Sequence, residues 1–305
     1  MKMISRQNVK NILKRRPKEM HKGQAGRVLI IAGQLGMAGA AVLTARGALY
    51  SGAGLVKISA PREIFDILQV SVTEAMCISR DFCGGQPAAD YDFNSYDSIA
   101  IGPGLGVSEE GLELLRKVLV SSDGPVVIDA DGLNCLCKDL SLLTGRHAAT
   151  VITPHPGEAD RLLKAAGKPG YKDLSRQEVA ETLSQLGGDG PLIALLKGSD
   201  TLIASAGEMY VNGTGNPGMA TGGSGDVLTG IIVSLLAQGR AGAKANAKAG
   251  EDIFMDATPL QAVTAAAYLH GLAGDRAAET KGQYGMTSAD IAGAVPEAIK
   301  EVTGF

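Results

Sequence analysis

Residues 26–54, GRVLIIAGQLGMAGAAVLTARGALYSGAG, limit the fold more than any other part of the chain. A continuous apolar run from Val28 to Ala32 enters a glycine turn and leaves as an Ala-rich helix. That helix is expected from about Ala38 to Ser51, with Gly52 and Gly54 ending it. Unbroken rather than alternating hydrophobicity marks a strand covered on both faces, which belongs in a parallel sheet. LVKISA follows as the next strand and Pro61 stops it.

The theme recurs downstream. SIAIGPGLG is a strand running into glycine, GLELLRKVLV a helix and PVVIDADG a strand. ATVITPHPGEADRLLKAAG reads strand, turn, helix, and PLIALLKGSDTLIAS reads as two strands turning at Gly198 and Ser199. DVLTGIIVSLLAQG and TPLQAVTAAAYLHGLAGDRAAE are helices. Strands alternating with helices predict an α/β fold with a largely parallel sheet covered on both sides. No Pro/Ser-rich linker interrupts the 305 residues, so one domain over 1–305 is expected. Residues 238–258, QGRAGAKANAKAGEDIFMDAT, are small, charged and aperiodic, and are expected to form a surface insertion.

Composition excludes several function classes. Net charge is -3, which does not suit a nucleic-acid binder. The first 27 residues do carry nine Lys/Arg against Glu19 alone, which reads as a solvated N-terminal helix. Apolar stretches such as VLII and IIVSLLA are far too short to span a membrane, and a cytoplasmic protein is expected. Cys77, Cys83, Cys135 and Cys137 form neither C-x-x-C nor a zinc spacing and read as reduced thiols.

Ligands of an open parallel sheet bind beyond the carboxyl ends of its strands. Five polar or glycine-rich turns follow strands here: GQLGMAGA, GPGLG, DADGLN, TPHPGEAD and KGSDT. The chain has no G-x-x-x-x-G-K-[ST], which excludes a P-loop. Gly33, Gly36 and Gly39 could cradle a pyrophosphate, but no Tyr is followed by Lys four residues later and LVKISAPRE offers no acid before Glu63. Both absences argue against a dinucleotide-dependent dehydrogenase of the Tyr/Lys type.

The stretch GTGNPGMATGGSGDVLTG, residues 213–230, carries the chemistry. Small residues at a helix N-terminus leave backbone N–H groups without intrahelical partners, and the helix dipole adds positive charge there. Such an anion hole suits a transferring phosphoryl group. Asp226, at its lip, can take the proton of an attacking hydroxyl. A plain N-cap role is the competing reading for an isolated Asp. Asp129 and Asp131 form D-x-D, which suits magnesium or turn capping equally. His155, between Pro154 and Pro156, is aimed by a fixed backbone, whereas His21, His147 and His270 form no metal triad and read as structural or surface residues.

Taken in order, AGQLGMAGAA, IGPGLG, DADGLN, TPHPGEADRL, LKGSDTLIAS and NGTGNPGMATGGSGDVLTGI resemble the motifs of the NAD(P)HX dehydratase family over roughly residues 20–300. This is a carbohydrate-kinase-like domain of the ribokinase-like superfamily. The resemblance implies a ribokinase-like three-layer α/β/α fold with a central, mostly parallel sheet. It implies metabolite repair, in which ADP or ATP, with Mg2+, phosphorylates the ring hydroxyl of (6S)-NADHX or NADPHX and phosphate then leaves.

By the same resemblance Asp226 is the base and a substrate contact, and Gly223, Ser224 and Gly225 form the anion hole. Lys197, Gly198, Ser199, Asp200 and Thr201 contact the nucleotide, with Gly225 nearby. Ala40 or Ala41, Gly104 or Gly106, and His155 contact the hydrated dinucleotide. Asn134 and Glu158 lie near the phosphates and the water shell of the metal. A homo-oligomer, a tetramer, is implied as well. The chain has no room for the epimerase domain that accompanies many family members, so coupling to a separate epimerase is expected. The competing function is a superfamily kinase that stops at its phosphorylated product, and fold alone does not separate the two. A nucleotide-binding regulator without turnover is a third reading, and the presence of Asp226 argues against it.

Overall fold

The computed structural model describes residues 1–305 except 84–85, 88–90, 189, 250–254 and 256, and describes only the backbone of 82–83, 86–87 and 245–249. The strands are β1 (Lys2–Met3), β2 (Arg27–Ile31), β3 (Leu55–Ala60), β4 (Met76–Ser79), β5 (Phe82–Cys83), β6 (Gln86–Pro87), β7 (Ser98–Ile101), β8 (Val126–Ile128), β9 (Thr150–Ile152), β10 (Leu192–Leu196), β11 (Thr201–Ser205) and β12 (Glu208–Asn212). The helices are α1 (Arg6–Ile12), α2 (Ala38–Tyr50), α3 (Phe65–Ser71), α4 (Glu109–Ser121), α5 (Asp131–Leu136), α6 (Pro156–Ala165), α7 (Arg176–Ser184), α8 (Ser224–Ala249), α9 (Pro259–Gly285) and α10 (Ser288–Thr303).

Ten strands form one sheet in the order β1-β12-β11-β10-β9-β8-β7-β2-β3-β4. Every pairing is parallel except those of β11 with β10 and β12. Register follows the hydrophobic runs: Ile30 of β2 lies between Ile58 of β3 and Ala100 of β7. Side chains alternate between two cores. Val28, Ile30, Val56, Ile58, Val127 and Val151 meet the layer of α2, α8, α9 and α10. Leu29, Ile31, Ile99, Ile101, Ile128 and Ile152 meet the layer of α4, α5, α6 and α7. Covering both faces is the reason the strands read as unbroken apolar runs. Each fully buried Leu or Ile contributes roughly 1.5–3 kcal/mol. The architecture is the expected three-layer α/β/α sandwich.

Two expectations change. The helix beginning at Ser224 does not stop near Gly239 but runs to Ala249. Residues 238–249 are therefore helix, with Ala241 buried and Lys244 paired to Asp97 at 2.7 Å. Alanine has the highest helix propensity, so AGAKANAKA needs no apolar periodicity to continue a helix that is already nucleated. Most of the remainder of the expected insertion lies outside the described residues. The basic N-terminal segment holds only one short helix, α1, which buries Val9 and Ile12. Among the described residues no helix is long and apolar enough to cross a membrane. Cys77, Cys135 and Cys137 are free, and the side chain of Cys83 lies outside the described residues.

Candidate active site

The turns leaving β2, β7, β8, β9 and β10 gather at the carboxyl edge of the sheet, and the N-terminus of α8 faces them. Asp226 lies in the first turn of α8 rather than at its cap, because the helix already begins at Ser224. Burial, followed by the neighbouring negative charge of Asp129, pushes the Asp226 carboxyl up from 3.8 to about 7, against the pull of Lys197. A carboxyl with that proton affinity can exchange a proton near neutral pH.

Lys197, at the end of β10, turns its side chain inward. Its Nζ donates to Asp129 Oδ1 at 2.7 Å and lies 3.7 Å from Glu158 Oε2. Burial pulls the ammonium down, but Asp129 and Glu158 outweigh it and hold Lys197 above the ordinary lysine value. Asp129 is 1% exposed. Its Oδ2 accepts from Thr229 Oγ1 at 2.7 Å, and its Oδ1 also accepts from the Ala130 N–H at 2.9 Å. Asp131 accepts from the Gly106 N–H at 2.9 Å. The two acids of D-x-D thus serve the turn and the lysine.

A cavity of about 630 Å³ opens on one side of the α8 N-terminus. Lys197, Gly198, Ser199, Asp200 and Thr201 line it together with His155, Ser224 and Gly225. The Thr214–Pro217 segment and His270 complete its wall. His270, read from sequence as structural or surface, is buried, with Nε2 3.3 Å from Ser224 Oγ. Burial pushes its imidazole down to about 4, so it stays neutral in the working pH range.

His155 caps α6: its Nδ1 accepts from the Gly157 N–H at 3.0 Å while Glu158 Oε2 accepts from the His155 N–H at 2.8 Å. A structural duty and a place in the cavity wall coexist in this residue. Asn134 Oδ1 accepts from Arg161 Nε at 2.9 Å.

The loops expected to hold the dinucleotide lie apart from that cavity wall. Ala41 is wholly buried, whereas Ala40 is partly exposed, which favours Ala40 for any contact. A Cβ on Gly104 would come 3.1 Å from the Ala40 Cβ, so these two positions adjoin. Gly106 adjoins Gln34, whose Oε1 would lie 2.6 Å from a Cβ there. Gly223 directly precedes α8 at φ 90°, and a Cβ there would meet Leu43 and Ser288.

Sequence reasoning missed Arg176. Its guanidinium donates to the carbonyl of Ser199 and, at 3.3 Å, to that of Asp200, which holds the turn at the positive φ of 51°. Arg176→Met should raise KM for nucleotide about tenfold, the equivalent of one charged hydrogen bond, and leave kcat within about twofold. Steady-state titration of the phosphoryl donor checks this, and an unchanged KM would remove Arg176 from the nucleotide site.

Residues 28–297 match the family model described as NAD(P)H-hydrate dehydratase. The chain is 39% identical over 298 residues to a bifunctional NAD(P)H-hydrate repair enzyme of Moorella thermoacetica, covering 95% of this chain and 52% of that one. It thus spans about half the length of such bifunctional relatives. It is 34% identical over 288 residues to an ADP-dependent (S)-NAD(P)H-hydrate dehydratase of Neisseria meningitidis, covering 92% of this chain and 88% of that one. The crystal structure of an ADP/ATP-dependent NAD(P)H-hydrate dehydratase from Bacillus subtilis, co-crystallised with ATP/Mg2+, superposes with a TM-score of 0.81 at 28% identity, covering 99% of this chain and 98% of that one. Ribokinase from Thermotoga maritima, at 13% identity and a TM-score of 0.50 over 88% of this chain and 99% of that one, shares the fold alone.

Proposed function

The chain belongs to the NAD(P)H-hydrate dehydratase family, and from that premise we propose that it dehydrates (6S)-NADHX and (6S)-NADPHX with ADP or ATP as phosphoryl donor. One observation carries the reading. Asp226 stands in the first turn of α8, next to the Gly223–Gly225 N–H groups, with the cavity of the Lys197–Thr201 turn beside it. The turn proposed to hold the donor, the proposed anion hole and the proposed base are adjacent.

The ring hydroxyl gives its proton to the Asp226 carboxylate as its oxygen bonds to the terminal phosphorus. The bond from that phosphorus to the nucleotide breaks, and the nucleotide leaves one phosphate shorter. The C–O bond to phosphate then breaks, the adjacent ring carbon gives its proton to the departing phosphate, and the ring double bond returns. Ser224, Gly225 and the α8 dipole stabilise charge on the phosphoryl oxygens in both steps. Ala40, Gly104 and Gly106 border the dinucleotide, and the protonated Lys197 faces the phosphates.

Magnesium enters with the nucleotide. Among the described residues no three His, Cys, Asp or Glu side chains gather to hold a metal ion. Asn134 accepts from Arg161, and Glu158 accepts from the His155 N–H and is ion-paired with Lys197 at 3.7 Å. These side chains do not fit direct coordination. The reading is completed by a cytoplasmic homo-oligomer that works together with an epimerase acting on the R hydrate.

The test mixes the protein with NADHX and magnesium, then with ADP or ATP in separate cuvettes, and follows the reduced-nicotinamide absorbance band. A nucleotide-dependent rise is expected, and the faster donor is the preferred one. A flat trace with both donors, from folded protein that binds nucleotide, would replace this reading with that of a small-alcohol kinase.

A further inference from the structure

Asp129 plays no part in the transfer outlined above, yet three segments converge on it. Its carboxylate is 1% exposed and bonded to Lys197 Nζ, Thr229 Oγ1 and the Ala130 N–H. Ala130 holds φ 49° and ψ −119°, a conformation L-residues rarely adopt, so the turn is fixed by its surroundings. Thr229 ties this carboxylate to α8, one turn beyond the base. A Cβ on Gly225 would stand 3.3 Å from Lys197 Nζ and 3.9 Å from Asp129 Oδ2. The ammonium and its counter-ion therefore both lie against the residue that precedes Asp226.

We propose that Asp129 is a positioning residue for the base: it pins Lys197 beneath the anion hole and places a fixed negative charge next to Asp226. Lys197 pulls Asp226 towards the weakly basic carboxylate form, against its burial. Asp129 offsets that cation and keeps Asp226 able to accept a proton. The directions agree: burial raises Asp226 most, Asp129 and then Asp131 add to it, and Lys197 lowers it. Around the hole, α2 presents Leu43 and α10 presents Ser288 to Gly223, α9 presents the neutral His270 to Ser224, and α6 brings the Glu158 carboxylate to 3.7 Å from Lys197 Nζ. The role in catalysis rests on the dehydratase reading, but the electrostatic claim does not.

The deciding measurement is a ¹³C NMR titration of aspartate side-chain carboxyls in the 305-residue chain, with the Asp226 signal assigned by its loss in D226N. Asp226 should titrate near neutral pH in the wild type. In D129N its midpoint should fall by at least about one pH unit, the size expected of a nearby charge, and in D131N by less. Should D129N not fold, D129S also removes the charge while leaving a hydroxyl for Lys197 and Thr229, and the same fall is expected. A midpoint within about 0.3 unit of wild type in the neutral variant that folds overturns the proposal, because burial alone would then account for Asp226. In protein that turns over, the acid limb of the rate profile should move with the midpoint. Absence of turnover would defeat the dehydratase reading and leave the titration to decide this one.

Discussion

Asp226→Asn is expected to lower turnover by a factor on the order of 10³, within the range ascribed to a positioned general base, while nucleotide still binds. The cavity wall formed by the Lys197–Thr201 turn does not include Asp226, so donor affinity should survive the substitution. Single-turnover kinetics with ATP and an equilibrium nucleotide titration separate the two effects, and unchanged turnover would remove Asp226 as the base. The same variant carries a stability signature of opposite sign. Because the folded Asp226 carboxyl is raised from 3.8 to about 7, the protonated form is favoured in the fold. Its contribution is fully present below about pH 4 and is lost as pH rises through about 7. At pH 8 the wild type holds a partly buried carboxylate that the unfolded chain would solvate freely. D226N should then be the more stable protein by on the order of 4 kcal/mol, with the difference closing towards pH 4. Urea unfolding at pH 4, 6 and 8 checks this. For activity the sign reverses: the base must be ionised, so kcat/KM should rise with pH through about 7.

Residues close together in sequence made much of this legible. Val28–Ala32 with its glycine turn, the helix from Ala38, and the β10–β11 turn at Gly198 each bear their own periodicity and breakers, and the structure places them as expected. The helix start at Ser224 was legible because a helix N-terminus and its glycines are contiguous. What escaped notice depends on distant partners. Asp129 meets Lys197 and Thr229 across 68 and 100 residues, so D-x-D looked like a metal motif or a cap. His270 reaches Ser224 from another helix 46 residues on. Arg176, at the start of α7, holds a turn 23 residues away through backbone carbonyls, which leave no trace in residue type. The extension of α8 to Ala249 was lost for a different reason: aperiodicity outweighed alanine propensity, although propensity decides where burial does not. Short edge strands such as β1 and β4 have too few residues to show a period.

Gly230→Ala is expected to cost about 3 kcal/mol, at the upper end for overpacking, with Tm falling by roughly 6 °C. The reason lies in the contact between α8, which carries the proposed base, and α2, which opens at the proposed substrate loop. A Cβ on Gly230 of α8 would stand 2.1 Å from the Thr44 carbonyl oxygen of α2 and 2.8 Å from the Ala48 nitrogen. From the other side, a Cβ on Gly47 of α2 would stand 2.4 Å from the Val227 carbonyl oxygen. Both obstacles are backbone, so no rotamer change relieves them and the helices must separate. Val227 directly follows Asp226, and Ala40 lies one turn before Thr44. Separation therefore moves base and substrate loop apart, and near-attack geometry is sensitive to displacements of about 1 Å. The variant should lose kcat as well as stability, and at a temperature where it is fully folded the loss in kcat should persist. Gly293→Ala is the control: its position on α10 is exposed with no atom within 4 Å of a Cβ, and the change should stabilise by up to about 1 kcal/mol through helix propensity. If Gly230→Ala matched that control in both melting and turnover, the α2–α8 contact would not be what holds the two halves of the site in register.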